Sequence, residues 1–305
     1  MTPTLLQCLE RLLHGDRILR AETPAGLWAE LRSLGIPLAD GPSQALGFDA
    51  GFERLDAAEI RAHGLPAAIG VECRPWVEST NAALVANFQH RHSLLAECQS
   101  GGRGRNGRRW LSPCGGGLWF SHAYGFGIAV DRLAPLTLAV GVAVAGVLEL
   151  PQLRLKWPND LVVEQKKLGG ILVEARSSVE GAEAVIGVGI NLRAGFEGIA
   201  TPDQPWTDLE RLTGHPTARN RLAGRLIGAI DTTCMRFETD GFAPFLADWQ
   251  RLDGLVGREV RVERGSESVL FGRAEGVGVD GLLRVVDQRG VQHRIASGEV
   301  RVRGL

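Results

Sequence analysis

Three strand-like runs follow one another in the middle of the chain, with no helical pattern between them. They lie at Leu153 to Lys156, Leu168 to Ala175 and Ala184 to Leu192. Parallel strands need a long crossover connection, usually a helix, whereas antiparallel strands can be joined by short turns. This order therefore predicts an α+β fold in which an antiparallel or mixed sheet is backed by helices.

Further strands and helices surround these runs in a central domain that we place at residues 63–253. One helical run is strongly apolar: Leu136 to Leu148 is too short to span a bilayer, and its pattern predicts a helix buried in the core. The other strand-like runs are Ala68 to Val77, Ser93 to Cys98 and Leu118 to Tyr124, and helical runs begin at Ser79 or Thr80, near Asp131, near Trp206 and near Ala218, the last leading into Phe242 to Leu252.

A small module precedes the central domain at residues 1–62. A first helix carries leucines on one face, and a second has Thr23 as its N-cap, begins with Pro24 and ends at Gly35. Residues 36–55 then alternate apolar residues with glycines, as in a short β ribbon. Two helices followed by a ribbon predict a winged-helix-like module.

Residues 254–305 form a β-rich segment of their own. Short alternating runs are separated there by glycine-rich turns, which predicts a small C-terminal β barrel. The predicted strands are Glu259 to Glu263, Val269 to Ala274, Leu282 to Val286, Gln292 to Ile295 and Glu299 to Val302.

Charge and cysteine content narrow the class of protein. The formal net charge is -1 over 305 residues, so any contact with nucleic acid would need a local basic patch. Five scattered cysteines without a Cys-x-x-Cys pair argue against a disulfide framework and against a zinc site. The N-terminal sequence lacks the pattern of a secretory signal, so we expect a cytoplasmic protein without a membrane segment.

The segment Gly102 to Trp110 has the composition of a site for an adenine nucleotide. Its glycines can turn backbone N–H groups inward, its four arginines can bind phosphate or carboxylate oxygens, and its indole can stack on a purine. Taken alone, such a run is more often a solvated basic loop. A Rossmann fingerprint does not fit, because the glycines run into Leu111-Ser112-Pro113 rather than into a helix.

Three other clusters carry polar groups, and each has a simple structural interpretation. Glu78 to Asn81 lies where a strand meets a helix, which is typical of an N-cap. Lys156 to Asp160 is typical of a surface turn, and Lys166 to Glu174, with its glycine pair, is typical of a hairpin. Their order and joint presence, rather than any one of them, indicate a functional site.

The whole set resembles a biotin protein ligase. The matching motifs are Ser-Thr-Asn, Gln99 before Gly-Arg-Gly-Arg-x-Gly-Arg-x-Trp, Lys-Trp-Pro-Asn-Asp, Lys-Leu-Gly-Gly-Ile-Leu-Val-Glu and Gly-Val-Gly-Ile-Asn, from about Trp76 to Asn191. The resemblance implies a class II synthetase-like catalytic domain, as in biotin and lipoate ligases, and an SH3-like C-terminal barrel. It also implies that biotin is activated with ATP to biotinyl-5′-AMP and transferred to a lysine of the biotin carboxyl carrier domain of acetyl-CoA carboxylase.

The same resemblance assigns roles to individual residues. Biotin-binding residues are expected to be Ser79, Thr80, Asn81, Gln99, Arg103, Gly104, Arg105 and Lys167. ATP-binding residues are expected to be Arg105, Arg108, Trp110, Asn159 and Asn191, and catalytic residues Arg105, Lys156, Asp160 and Lys167. Mg²⁺ is expected to bind through the ATP phosphates and not to a protein metal site.

Chemistry explains why these residue types suit the reaction. The ureido ring of biotin has one carbonyl acceptor and two N–H donors, which buried hydroxyl and amide groups can pair; each such group left unpaired costs roughly 1–3 kcal/mol. Cations near the carboxylate and the α-phosphate stabilise the charge that develops there. Asp160 can orient the attacking amine or accept its proton, with Lys156 setting the local field.

Two other functions remain open from the residues. A lipoate-type ligase shares the fold and the adenylate but has no need of groups that pair a ureido ring. A biotin-responsive transcription regulator with a relic catalytic domain would keep the cavity without the chemistry. Members of the family often dimerise, so a homodimer is an open alternative to a monomer.

The N-terminal module departs from the operator-binding members of the family. Only Asp16 to Thr23 separate its two helices, too few residues for the additional helix and turn of a helix-turn-helix. Arg32 is the one cation between Pro24 and Gly35. We therefore expect a degenerate winged helix with impaired or lost DNA binding, and a residual repressor role stays an open alternative.

Overall fold

The computed structural model describes residues 2–36, 38–39, 44–48, 52–193, 204–264, 268–296 and 300–304 of the chain. At the N-terminus lie two helices and three very short strands, followed by a third helix. These elements are α1 (Pro3–Leu13), β1 (Ile18–Leu19), α2 (Ala25–Ser33), β2 (Leu38–Ala39), β3 (Ala45–Leu46) and α3 (Ala57–Ala62).

The N-terminal strands pair antiparallel in the order β1-β3-β2. This small sheet next to α1 and α2 agrees with the predicted winged-helix-like module. The predicted N-cap is wrong, however: the Thr23 hydroxyl donates to the Leu19 carbonyl at 2.7 Å, and α2 starts without a side-chain cap. Part of the predicted ribbon, at residues 37, 40–43 and 49–51, lies outside the described residues.

A seven-stranded sheet with helices forms the centre of the fold. Its elements are β4 (Gly70–Val77), α4 (Thr80–Ala86), β5 (His92–Gln99), β6 (Gly117–Phe126), α5 (Leu136–Leu148), β7 (Leu153–Lys156), β8 (Asp160–Val163), β9 (Lys166–Ser178), β10 (Gly181–Asn191), α6 (Leu209–Thr213), α7 (Arg219–Asp240) and α8 (Leu246–Leu252).

The strand order of this sheet is β4-β5-β6-β10-β9-β8-β7. Only β4 and β5 pair in parallel, and α4 connects them, as a parallel crossover requires. The other neighbours are antiparallel, and β8, β9 and β10 follow one another through tight turns. The predicted mixed sheet backed by helices is therefore confirmed.

Two predictions about the central domain are wrong in detail. The sequence pattern indicated a turn at Lys156 to Asp160 but not β8, a four-residue strand too short to give a periodic signal. The helix expected near Trp206 begins at Leu209, because the Asp208 side chain accepts a hydrogen bond from the Arg211 N–H and caps it. Trp206 itself forms an isolated parallel bridge with Lys167.

The apolar helix α5 lies in the core, where it packs against α7, α8 and β9. Eight of its residues are buried. By length and composition alone, the segment Val130–Leu148 could also cross a membrane. Its burial by the rest of the fold identifies it as a core helix, as the sequence pattern predicted.

The C-terminal region is a five-stranded antiparallel sheet. Its strands are β11 (Glu259–Arg264), β12 (Ser268–Val277), β13 (Leu283–Asp287), β14 (Gln292–Ile295) and β15 (Val300–Gly304), in the order β14-β13-β12-β11-β15. Their buried side chains join the core of the central sheet, so the two regions share one hydrophobic cluster.

The N-terminal module also packs onto the central sheet. Its leucines form a second cluster together with Cys98 and Cys114. The Cys114 N–H donates to the Leu34 carbonyl at 2.8 Å, and a buried ion pair of Arg219 and Glu97, at 2.7 Å, lies beside it. These contacts join Cys114 to the N-terminal module and β5 to α7. The structure contains all five cysteines as free thiols.

Candidate active site

One cavity of about 640 Å³ lies where β5 and β7 end, beside β9 and β10. Every site residue that the sequence singled out lines it, although the residues come from widely separated segments. They are Ser79, Thr80, Asn81, Gln99, Arg103, Gly104, Arg105, Arg108, Trp110, Lys156, Asn159, Asp160, Lys167 and Asn191. The predicted convergence of these residues on one cleft is therefore present.

One side of the cavity is built on the start of α4. Ser79 caps this helix: its hydroxyl accepts from the Ala82 N–H at 3.3 Å. Thr80 and Asn81 follow in the first turn, and all three side chains are buried. Ser79 therefore has both roles: it caps α4, and it lines the cavity together with the two residues that follow it.

Hydrogen bonds link these residues to three strands, β5, β6 and β9, and through Gln99 to Ser112, which follows the arginine-rich segment. We call the linked side chains the amide network: Thr80, Asn81, Gln99, Ser112, Ser121 and Glu174. Gln99 Oε1 accepts from the Thr80 N–H at 2.8 Å, and its Nε2 donates to Ser112 Oγ at 2.8 Å. The amide orientation of Gln99 is fixed by these two partners.

Asn81 occupies the other end of the amide network. Its Nδ2 donates to Glu174 Oε2 at 2.7 Å and to the Leu172 carbonyl at 3.3 Å. Ser121 Oγ lies 2.5 Å from Asn81 Oδ1 and 2.7 Å from Thr80 Oγ1. Both amide protons of Asn81 are therefore already bound to protein acceptors.

Two glycines of β10 make room for this arrangement. A Cβ at Gly187 would overlap Asn81 Oδ1, and a Cβ at Gly189 would lie 2.6 Å from the Trp110 ring. Trp110 also packs edge-on against Trp119, with ring centroids 6.2 Å apart. The Gly-Val-Gly-Ile-Asn motif therefore shapes both sides of the cavity.

The opposite side carries the positive charge. We call its basic side chains the cationic wall: Arg103, Arg105, Arg108, Lys156 and Lys167. The arginine-rich segment folds back on itself, with an antiparallel bridge between Arg103 and Arg109 and a 2.7 Å bond from the Gly104 N–H to the Arg108 carbonyl. Gly107, with a φ of 72°, makes the reversal that a residue with a Cβ adopts less readily.

Arg105 differs from a surface arginine. Its Nη2 is buried and has no hydrogen-bond partner among the described residues. Burial lowers the pKa of Arg105, the negative charge of Asp160 acts in the opposite direction, and Arg108 adds to the lowering. A guanidinium remains protonated even so, which leaves a partly buried positive charge suited to an anionic ligand.

Asp160 and Lys167 meet at the centre of the cationic wall. Lys167 Nζ lies 2.6 Å from Asp160 Oδ1, with both side chains mostly buried, and 5.1 Å from the Trp110 ring centroid. Lys156 pairs with Asp160 in the register of β7 and β8. The expected catalytic residues are thus neighbours, and Asp160 is the one carboxylate among the described residues that line the cavity.

Asn159 and Asn191 use their amides to hold the backbone. Asn159 Nδ2 donates to the Ile171 carbonyl at 2.8 Å. Asn191 Nδ2 donates to the carbonyls of Thr207 at 3.1 Å and Lys167 at 3.4 Å. Both residues line the cavity while fixing the position of β9 beside it.

The site also involves residues to which the sequence assigned no role. Ser121 and Glu174 belong to the amide network behind the cavity lining, and the sequence motifs assign neither of them a role. Trp206 lines the cavity, with the Arg211 guanidinium carbon 4.6 Å from its ring centroid. A tryptophan directly after a proline was the available signal for Trp206; Ser121, inside an apolar strand, gave none.

Within the described ranges, no group of three or more His, Cys, Asp or Glu side chains could hold a metal ion. Asp160, the cavity's carboxylate, is already paired with a lysine.

Comparisons with known proteins agree with this geometry. Residues 75–191 match the Biotin/lipoate A/B protein ligase family, and residues 255–303 match the Biotin protein ligase C terminal domain. The bifunctional ligase/repressor BirA of Escherichia coli is 31% identical over 280 residues, which cover 90% of this chain and 86% of that protein.

Two further similarities concern an enzyme and a solved structure. The biotin--[acetyl-CoA-carboxylase] ligase of Mycobacterium tuberculosis is 30% identical over 244 residues, 73% of this chain and 85% of that protein. A biotin protein ligase from Aquifex aeolicus, solved in complex with biotin and ATP, superposes with a TM-score of 0.65 at 28% identity, covering 77% of this chain and 99% of that one.

Proposed function

Because the chain belongs to the biotin protein ligase family, we propose that it is an ATP-dependent biotin protein ligase. It activates biotin with ATP to biotinyl-5′-AMP and transfers the biotinyl group to one lysine of the biotin carboxyl carrier domain of acetyl-CoA carboxylase. The observation that carries this proposal is the meeting, in one cavity, of the paired amide network and the cationic wall.

Biotin lies with its ureido ring at the amide network. The buried side chains of Ser79 and Thr80 and the remaining amide proton of Gln99 provide groups that pair a cyclic urea. Asn81 supports them rather than reaching the ring with its own amide protons, which are bound elsewhere. The valerate chain then extends toward Arg103, Arg105 and Lys167.

In the first half reaction a carboxylate oxygen of biotin attacks the α-phosphorus of ATP. The bond from that phosphorus to the bridging oxygen of pyrophosphate breaks, and negative charge grows on both sides. Arg105, Arg108 and Lys167 stabilise this charge, and the unpaired Nη2 of Arg105 supports such a role. Mg²⁺, carried by the triphosphate, adds charge stabilisation when bound.

The adenylate is expected to lie between Trp110, Asn159 and Asn191. The two asparagines keep the cavity floor in place through their bonds to backbone carbonyls, and each retains an amide oxygen as an acceptor. Trp110 contributes an apolar wall next to Gly189. The roles of Trp110, Asn159 and Asn191 toward the adenylate rest on the motifs that the chain shares with biotin protein ligases.

In the second half reaction the neutral ε-amine of the carrier lysine attacks the acyl carbon of the adenylate. The bond from that carbon to the AMP oxygen breaks, and the amine loses a proton. Asp160 orients the amine or accepts the proton, and its ion pair with Lys167 and its place opposite Lys156 in the register of β7 and β8 keep it in position.

Biotin-dependent exchange of labelled pyrophosphate into ATP tests the first half reaction directly. We expect exchange with biotin and none without it, followed by labelling of a purified carrier domain. Exchange that responds to lipoate instead of biotin would favour the lipoate-type alternative. Binding of biotin without any exchange would favour a regulator with a relic catalytic domain.

We further propose that the N-terminal module binds DNA weakly or not at all, although a relative is named a ligase/repressor. A single helical turn, Arg20–Glu22, takes the place of a full helix between β1 and α2. The Arg32 guanidinium donates to the Ile36 carbonyl of its own module at 3.3 Å. A sequence-specific, salt-dependent shift of the gene's own promoter DNA by the protein would contradict this proposal.

The working location we propose is the cytoplasm, where ATP and the carrier domain are both present. Within the described residues, the apolar segment Val130–Leu148 is occupied by core packing rather than exposed as a membrane anchor. Fractionation of cells that express the tagged full chain would test this location.

A further inference from the structure

Glu174 lies outside the cavity lining, yet a continuous set of hydrogen bonds connects it to Thr80. We propose that Glu174, acting through Asn81 and Ser121, fixes the direction of the Thr80 hydroxyl and thereby makes it an acceptor for a ureido N–H of the ligand. Glu174 and Ser121 are thus positioning residues. This inference rests on the proposed function, because it specifies how the biotin site distinguishes N–H donors from acceptors.

The carboxylate of Glu174 determines which group donates and which accepts in each bond of the chain. An ionised carboxylate only accepts hydrogen bonds, so the atom of Asn81 that faces Glu174 Oε2 at 2.7 Å must be the NH₂ group. The Leu172 carbonyl, 3.3 Å away, is also an acceptor and supports the same orientation. Asn81 Oδ1 therefore points toward Ser121.

The next two steps follow from proton counting. Asn81 Oδ1 cannot donate, so the single proton of Ser121 Oγ must occupy the 2.5 Å contact between them. The 2.7 Å hydrogen bond between Ser121 Oγ and Thr80 Oγ1 must then use the proton of the Thr80 hydroxyl. The Thr80 hydroxyl has no other proton to give, so only its lone pairs remain for a ligand in the cavity.

Burial makes it costly to reverse the donor and acceptor order of these hydrogen bonds. Ser121 is fully buried, and Thr80 and Asn81 are nearly so, which leaves no solvent to repair a mismatched pair. Gln99 Oε1 also lies 3.2 Å from Thr80 Oγ1, but it already accepts the Thr80 backbone N–H at 2.8 Å, and the 2.7 Å contact with Ser121 is the shorter one. Either acceptor takes the Thr80 proton, so the hydroxyl still offers only lone pairs to a ligand. The absence of a side chain at Gly187 leaves space for Asn81 in this position.

A double-mutant cycle tests the proposal. In Asn81→Asp a carboxylate faces Glu174, so we expect the KM for biotin in pyrophosphate exchange to rise roughly 100-fold, with little change in the KM for ATP. In Glu174→Gln the amide oxygen still accepts from Asn81, and the KM for biotin should change less than about three-fold. In the double variant the amide of Gln at position 174 donates to the carboxylate at position 81. We expect its KM for biotin to be at least about ten-fold lower than that of Asn81→Asp.

Two further variants keep the test interpretable. Glu183→Gln makes the same chemical change on the neighbouring strand, where Glu183 pairs with Arg176 at the surface, and the KM for biotin should change less than about two-fold. Ser121→Ala removes the intermediate hydroxyl without adding charge and should raise the KM for biotin roughly ten-fold while kcat is kept.

The outcomes separate this inference from the proposed function. If the wild-type protein shows no biotin-dependent exchange, the proposed function fails, whatever the variants do. If the wild type is active but the double variant is no better than Asn81→Asp, or if KM for ATP rises as much as KM for biotin, the positioning role of Glu174 is wrong. An unchanged KM for biotin in Ser121→Ala would also overturn the positioning role.

Discussion

The two sides of the cavity satisfy their polar groups in opposite ways. In the amide network, Asn81, Gln99 and Ser121 are bonded to other protein groups over short distances. In the cationic wall, Arg105 has a buried Nη2 without a partner in the described parts of the chain, and Asp160 forms an ion pair with Lys167. The first side is held in one orientation by protein partners and offers a ligand only a few fixed groups, whereas the second carries charge that a ligand must neutralise.

This difference assigns separate tasks to the two sides. A pre-arranged set of neutral donors and acceptors selects a ligand by shape and polarity, and it acts on the ground state. Excess positive charge at a buried position contributes most where negative charge develops during the reaction. We therefore expect changes in the amide network to alter KM for biotin, and changes in the cationic wall to alter kcat and KM for ATP.

The largest expected effect comes from Asp160→Asn. The amide cannot accept the proton of the attacking lysine, so transfer from preformed adenylate to the carrier domain should slow roughly 100- to 10,000-fold. Single-turnover transfer measures this step. The exposed Asp131→Asn serves as the matched control. Full transfer by the Asp160 variant would remove Asp160 from the mechanism.

Arg105→Ala should have the next largest effect. Loss of a buried cation at the reacting phosphate should lower kcat for biotin-dependent pyrophosphate exchange about 100- to 1,000-fold. Arg154→Ala, an exposed arginine on β7, is the control. If KM for biotin rose while kcat stayed constant, the cationic wall would be acting in binding, and the contrast between the two sides would break down.

A pair of glycine variants separates the two sides directly. Gly187→Ala displaces Asn81 and should raise KM for biotin about ten-fold, whereas Gly189→Ala displaces Trp110 and should act mainly on KM for ATP. Gly146→Ala in α5, where a Cβ meets nothing within 4 Å, should leave both constants unchanged. Equal effects of both cavity variants on both substrates would show that the two sides are not independent.

Salt should give the smallest effect. Raising the ionic strength screens the attraction between the cationic wall and a triphosphate more than it changes neutral hydrogen bonds. We expect KM for ATP to rise several-fold, and that for biotin less than about two-fold, between low and moderately high salt. Steady-state exchange rates in a salt series measure both constants, and a larger shift for biotin would contradict the assignment.

Much of the fold was predictable because its signals are local. The apolar pattern of α5 and the consecutive strands that became β9 and β10 are properties of neighbouring residues. The errors arose where tertiary contacts decide the structure. The short β8 exists because it pairs with β7 and β9, and Trp206 is held by a bridge to Lys167 rather than by a helix.

The candidate site shows the same division. Motif spacing predicted the residues of the cationic wall, since Arg103, Arg105 and Arg108 lie in one short segment. It did not predict Ser121 or the role of Glu174. Asn81 and Glu174 are 93 residues apart in the chain, so only the pairing of strands brings them within a hydrogen bond.

The sequence by itself determined which chemical groups this protein has for the reaction: hydroxyls and amides before a helix, arginines among glycines, and a lysine with an aspartate. The tertiary structure decided which of these groups are already paired and which remain for a ligand. The physical reason is that residue identity sets the number of donors and acceptors, while their partners depend on distances between strands that are remote in sequence.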